Sequence, residues 1–266
     1  LWYIYNDGND QGVPDAEGGG DRVRIGLPGK QLELLKKLHA TGKPVVLVLT
    51  GGSPIELNWA KENIPAIMMV WYPGEAGGHA FADVLFGDCN PAGRLPLTFI
   101  KSLEDIPAFT DYNMKGRTYR FMEKEPLYRF GYGLSYTRFS YGKLDVSREA
   151  ATGGDEPRIT VSAEVVNTGE RDGDEVAQLY VKDVEASVPV PRCQLRGFQR
   201  VHLKAGESRK VSFTLSGHDL VCFDDDGNPF FEAGAFELHV GGGQPGDPDM
   251  PGVSTHIKIS AKGEIV

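Results

Sequence analysis

The sequence predicts an α/β domain with a mainly parallel sheet, followed by an all-β sandwich. Three observations carry this reading. Up to about residue 100, short apolar runs alternate with stretches of helical spacing. After about residue 140, apolar residues recur at every second position. No helical pattern interrupts that second part, which marks it as a separate domain.

In chain order, Leu1-Trp2-Tyr3-Ile4-Tyr5 reads as a buried strand. In "LPGKQLELLKKLHA", Leu32, Leu35 and Leu38 recur at three-to-four spacing beside Leu34, with Pro28 near the start and Gly42 just past the end. That is an amphipathic helix with its punctuation. "PVVLVLT", Pro44 to Thr50, is a continuous, largely β-branched run, predicted as a strand covered on both faces. A Gly51-Gly52-Ser53-Pro54 turn and a short helix through Trp59 follow, then a second buried strand, "AIMMVWY". Pro73-Gly74-Glu75-Ala76-Gly77-Gly78 leads into the helix "HAFADVLFG", with Gly87 as its C-terminal cap and Pro91 blocking continuation.

In the second part, Ile159, Val161, Ala163 and Val165 share one face, with Thr160, Ser162 and Glu164 opposite. Val211, Phe213 and Leu215 alternate with Ser212 and Thr214, and Phe236, Leu238 and Val240 with Glu237 and His239. Turn clusters such as "NTGERDGD", "KAGES" and "DDDGN" separate these strands. Between the two parts lies "IPAFTDYNMKGRTYRFMEKEPLYRFGYGLSY", too rich in Tyr, Phe and Arg for a flexible linker and predicted to pack on the first domain. The predicted domains are therefore residues 1–100 and 141–266, joined by an aromatic crossing segment at 101–140.

Composition narrows the function classes. Hydrophobic content of 40% and charged content of 24% are those of an ordinary globular protein. A net charge of −9 argues against nucleic acid, which needs a basic face, and against anionic membrane surfaces. The longest apolar run, Ala66 to Tyr72, is far short of the roughly 18 residues of a membrane-spanning helix. Cys89, Cys193 and Cys222 are scattered without a C-x-x-C pair, which points to buried thiols and not to a metal or redox site. No cofactor is expected, and cysteine usage leaves the compartment open.

"WYPGEAGGHAFADVLFGDCNPAGRLPLTF", residues 71–99, resembles the second-domain signature of glycoside hydrolase family 3, which holds β-glucosidases, β-xylosidases and related exo-acting enzymes. "DYNMKGRTYRFMEKEPLYRFGYGLSYTRF" is similar to the family's crossing segment, and "VSAEVVNTGERDGDEVAQLYV" to its fibronectin type III-like domain. "GGDRVRIGLPGKQLELLKKLHATGKPVVLVLTGGSP" also fits, so the resemblance covers nearly the whole chain. It implies the later portion of an (α/β)6 sandwich followed by a fibronectin type III-like sandwich. The family's N-terminal (β/α)8 barrel, with its nucleophilic aspartate, is missing from these residues. The opening strand then reads as a truncated end, and the chain alone is expected to be inactive.

The family retains anomeric configuration, which requires a nucleophile and an acid/base carboxyl roughly 5 to 5.5 Å apart. By resemblance, the acid/base is a Glu on a second-domain loop just upstream of Asp21-Arg22, within residues 6–20. Relatives often carry a Glu-rich stretch at the start of this loop. Here Asn6-Asp7-Gly8-Asn9-Asp10 stands there, and Glu17 is the loop's one Glu. Glu17 is thus the acid/base candidate, with Asp7, Asp10 and Asp15 as alternatives and a purely solvated loop as a third reading. Asp21 and Arg22 are candidate substrate-binding residues; the competing reading is a salt bridge that anchors the loop.

Other residues have two readings each. Glu75 faces the crevice at the sheet's carboxyl edge or serves the helix macrodipole from its first turn. His79 lies on the helix surface or against the crossing segment. Trp71 and Tyr72 form a sugar-stacking platform or, as the end of a buried strand, belong to the core. Arg117, Tyr119, Arg120 and Tyr128 are structural, pinning the sandwich to the α/β domain. Asp224-Asp225-Asp226-Gly227-Asn228 is a β-turn, since a calcium loop of the EF-hand type would need Gly where Pro229 stands. Gly241-Gly242-Gly243 ends a strand and lacks a following P-loop lysine.

The expected function is the C-terminal part of an exo-acting β-glucosidase or β-xylosidase, acting on β-linked oligosaccharides or aryl and alkyl glycosides. The alternative is a carbohydrate- or protein-binding module of the same descent without hydrolysis, which the Asn6–Asp10 stretch keeps open.

Overall fold

The computed structural model describes residues 24–149 and 158–260, which form two compact units. The first comprises the described residues up to 89 together with 97–116 and 122–128. The second comprises 90–96, 117–121 and the described residues from 129 onward.

In the first unit, helix α1 (Gln31–His39) occupies the predicted leucine-rich stretch. Leu35 is buried, whereas Leu34 and Leu38 are largely exposed. Glu33 bridges Lys30 at 3.2 Å and Lys37 at 3.0 Å along the solvent side. The ammonium of Lys37, and then that of Lys30, holds the Glu33 carboxyl below the usual carboxylate range. Lys36, Lys37 and His39 complement the negative end of the helix. Strand β1 (Val46–Leu49) and strand β2 (Ala66–Met69) pair in parallel, Val46 with Ala66 through Leu49 with Met69. Helix α2 (Asn58–Asn63) supplies the crossover that a parallel pair requires. Its Trp59 ring meets His39 edge-on at 5.5 Å and carries Lys36 Nζ at 5.5 Å, which ties α2 to α1.

The strands depart from prediction in their cover. On β1 only Leu47 and Leu49 are buried, while Val46 is 46% exposed; on β2 no residue is fully buried. Helix α3 (Gly77–Phe86) ends at Gly87, left-handed at φ 84°, whose N–H bonds Val84 O as the sequence predicted. Residues 97–116 contribute Phe99, buried between Trp71 and Tyr128 at ring separations of 6.3 and 6.2 Å. Lys61 lies over the Tyr128 ring and donates to Leu127 O at 2.6 Å.

The second unit opens with one helical turn, α4 (Thr118–Phe121), and then runs through β3 (Phe139–Tyr141), β4 (Asp145–Glu149), β5 (Arg158–Asn167), β6 (Gly173–Asp183), β7 (Gln194–Leu203), β8 (Ser208–Leu215), β9 (Cys222–Phe223), β10 (Pro229–Phe230), β11 (Gly234–Gly241) and β12 (Gly252–Ile259). One sheet has the order β12-β11-β6-β7; in the other, β5 is flanked by β3, β4 and β8. The pairings within both sheets are antiparallel. The apolar faces read from the sequence make the core: Val161, Val165, Val211, Leu238 and Val240 are fully buried, with Phe213 and Phe236 beside them. This is a β-sandwich.

Two side chains leave their predicted polar face. Ser162 is buried, and His239 is 7% exposed, its Nδ1 2.9 Å from Ser254 Oγ and its ring beside Tyr180. Burial also lowers the His239 pKa below the usual imidazole value, because the charged form loses its solvent.

Residues 90–96, at the end of the resemblance's signature, are built into this unit. Arg94 Nη2 meets Glu175 Oε2 at 2.8 Å, with both side chains almost wholly buried. Arg94 Nε also donates to Gly242 O, and Tyr141 OH donates to Glu175 Oε1 at 2.7 Å. Burial pushes the Glu175 carboxyl up, while Arg94 and Tyr141 oppose that rise. Tyr119 of α4 stacks on Phe130 at 4.3 Å and accepts from Leu195 N, and Arg120 donates to Gln194 Oε1. These contacts make Tyr119 and Arg120 structural within the second unit, as Tyr128 is within the first.

Candidate functional site

In an open α/β sheet, ligands meet the loops that leave the carboxyl ends of the strands. Here those loops are 50–54 after β1 and 70–76 after β2. The backbone keeps them together beyond the strands: Val70 N donates to Leu49 O at 2.9 Å, and Gly51 N to Trp71 O at 3.2 Å. Trp71 adopts φ 52°, left-handed for a bulky side chain and so strained by about 1–3 kcal/mol. The bend turns the Trp71 ring edge toward Phe99 and directs Tyr72 outward. Trp71 is thus partly buried, as a strand end should be, but Tyr72 is 69% exposed and is no core residue. Its ring lies over Gly52, where a Cβ would stand 2.9 Å from the ring carbon Cε2.

The turn into α3 is equally constrained. A Cβ on Gly77 would collide with the Pro73 ring, so a glycine is needed for the chain to fold back into the helix. Glu75 is exposed and precedes the N-cap residue Ala76, which places it before the first helical turn and not within it as predicted. His79 is exposed on the helix surface. This edge therefore offers an outward aromatic ring beside a close-approached backbone, with Glu75 as the acid on these two loops.

The residues assigned chemistry from the sequence, Glu17, Asp21 and Arg22, lie outside the described residues, as do Asp7, Asp10, Asp15 and the Leu1–Tyr5 strand. Elsewhere, Asp224 to Asn228 form the turn of the β9–β10 hairpin, as expected. The Asp224 carboxylate accepts from Asp226 N, Asn228 N and Asn228 Nδ2, which fixes the turn. Cys193 and Cys222 are buried as predicted, and burial pushes the Cys193 thiol up to about 11. Cys89 is exposed, against expectation, because it sits in the loop that leaves α3 after Gly87.

Comparison with known proteins agrees with the fold and with the motif that frames this edge. The model of the Glycosyl hydrolase family 3 C-terminal domain matches residues 4–136, and that of the Fibronectin type III-like domain matches residues 175–244. The chain belongs to glycoside hydrolase family 3.

A β-xylosidase of Formosa agariphila is 44% identical over 247 residues, covering 90% of this chain and 34% of that protein. A periplasmic β-glucosidase of Salmonella typhimurium is 39% identical over 88% of the chain and 32% of its own length. Among solved structures, a β-glucosidase from Erythrobacter marinus superposes with a TM-score of 0.76 at 40% identity, over 91% of this chain and 31% of that one. The family 3 β-glucosidase of Bifidobacterium adolescentis gives 0.79 at 31% identity, over 92% and 38%. The chain thus spans about a third of the length of these relatives.

Sequence reasoning read Trp71 and Tyr72 together, as a sugar-stacking platform or as core, and did not single out the Trp71 bend that separates the two. The available signal was Pro73-Gly74 directly after the strand, which marks a sharp turn where exposure changes over one residue.

Proposed function

We propose that these residues form the C-terminal part of an exo-acting retaining β-glycosidase that removes terminal non-reducing β-linked glucosyl or xylosyl units. The observation that supports this reading is the 44% identity to a β-xylosidase across 90% of the chain. In this reading Glu17 is the acid/base: it protonates the leaving glycosidic oxygen, then deprotonates the incoming water. Asp21 and Arg22 hydrogen-bond sugar hydroxyls. The nucleophilic aspartate comes from the family's barrel domain, outside these 266 residues, so the chain by itself does not hydrolyse glycosides.

The test is to assay the protein that contains this chain on p-nitrophenyl β-glucoside and β-xyloside, with and without Glu17→Ala. The variant is expected to lose activity and to regain turnover in azide, an anionic nucleophile that needs no general base and releases the glycosyl-enzyme as glycosyl azide. Unchanged activity in the variant removes Glu17 from the role. No hydrolysis by the unmodified protein favours a binding module, the reading supported by the Asn6–Asp10 stretch where relatives carry glutamates.

A further inference from the structure

Asp183, Cys222 and Glu232 are far apart in the sequence, yet the second unit brings their ligand atoms within 4.8 Å of one another. Asp183 ends β6, Cys222 lies in β9, and Glu232 follows β10. Because Cys222 pairs with Phe230, the hairpin sets Glu232 diagonally beside the thiol.

Each group is held for a shared purpose. Cys222 is 3% exposed, and its Sγ lies 3.5 Å from Asp183 Oδ2. The other Asp183 oxygen, Oδ1, accepts from Glu185 N at 3.1 Å. Glu232 Oε2 accepts from Ser187 N at 2.9 Å. Backbone amides thus orient both carboxylates, as outer hydrogen bonds do for metal ligands, while the second Asp183 oxygen accepts the Cys222 S–H, whose proton a metal ion would displace.

The geometry and chemistry select the cation. In a tetrahedral zinc site with bonds of about 2.0–2.3 Å, neighbouring ligand atoms stand about 3.5 Å apart, the separation that Sγ and Oδ2 already have. Calcium and magnesium take six or more oxygens, and a buried thiol adds nothing for them. On binding, the Cys222 thiol gives up its proton to solvent as an S–metal bond forms, and the divalent charge offsets the two carboxylates.

We propose that Asp183, Cys222 and Glu232 form a three-ligand site for a thiophilic divalent cation of the zinc class, with water in the fourth position. The cation fastens the β9–β10 hairpin to the end of β6, a structural role within the sandwich. Sequence reading had assigned Cys222 only as a buried thiol, because neither carboxylate lies at a ligand spacing from it.

The test uses the full 266-residue chain, stripped of metal with a chelator and titrated with cadmium, whose thiolate complexes absorb in the ultraviolet. One equivalent should develop the charge-transfer band in the unmodified chain and in Cys89→Ser. The band should be lost in Cys222→Ser and need at least tenfold more cadmium in Glu232→Gln. Zinc should raise the melting temperature of the unmodified chain and of Cys89→Ser but not of Asp183→Asn, which keeps side-chain volume if Cys222→Ser fails to fold. A band that survives in Cys222→Ser or disappears in Cys89→Ser overturns the site. So does a melting temperature that zinc leaves unmoved.

Discussion

Arg94 and Glu175, 81 positions apart, form a buried ion pair at 2.8 Å that fastens residues 90–96 into the β-sandwich. Removing one partner leaves the other charge buried and uncompensated, which costs about 3–5 kcal/mol. Arg94→Met is therefore expected to unfold at markedly lower urea. Adding Glu175→Gln to that variant should recover most of the loss, since a neutral amide still accepts from Tyr141. Equal midpoints for the single variant and the unmodified chain would show that the pair does not hold this segment.

His239 makes the second unit sensitive to acid. Its folded pKa lies below the usual imidazole value of about 6.5, chiefly because burial disfavours the charged ring. As the pH falls through about 6.5, the unfolded chain takes up a proton that the folded chain resists. Its contribution is thus present above that value and is lost toward the lower folded pKa. Urea midpoints measured from pH 7.5 to 5 should fall, and His239→Gln should flatten this slope.

Phe99 and Tyr72 separate packing from exposure in the first unit. Phe99→Ala empties a site that is 2% exposed and should cost about 3–5 kcal/mol. Tyr72→Ala removes a ring that is 69% exposed and should change stability by no more than about 0.5 kcal/mol. Thermal melts of both variants read the contrast directly; a comparable loss in the two would mean that Tyr72 packs after all.

Gly77→Ala tests the turn into α3. The added methyl meets the Pro73 ring, and overpacking of this kind costs about 1–3 kcal/mol. Gly78→Ala, where a Cβ meets nothing within 4 Å, is the matched control and should be neutral or better. Destabilisation by both variants alike would point to helix propensity instead of the Pro73 contact.

Much of the fold was legible in the sequence for a physical reason. Periods of two and of three to four follow from strand and helix geometry, so Val161, Phe213 and Leu238 announce their face before any contact is known. Gly87 was legible because only a residue tolerant of left-handed φ ends a helix in that way. His239 and Ser162 were misread, since alternation reports sidedness and not whether the second face is covered. The exposure of Val46 went unforeseen for the same reason: a β-branched run says strand but does not say how many neighbours it has.

The sequence by itself determined the α/β-then-β order, the main strands and helices, the core face of each sandwich strand and the family. These rest on local spacing and on a long motif, both written in consecutive residues. Only the tertiary structure decided that residues 90–96 are fastened into the sandwich by Arg94, that Trp71 bends so that Tyr72 points outward, and that Asp183 and Glu232 converge on Cys222. Those relationships join residues tens of positions apart or depend on a single backbone angle. They arise from burial and chain path, which no local period encodes.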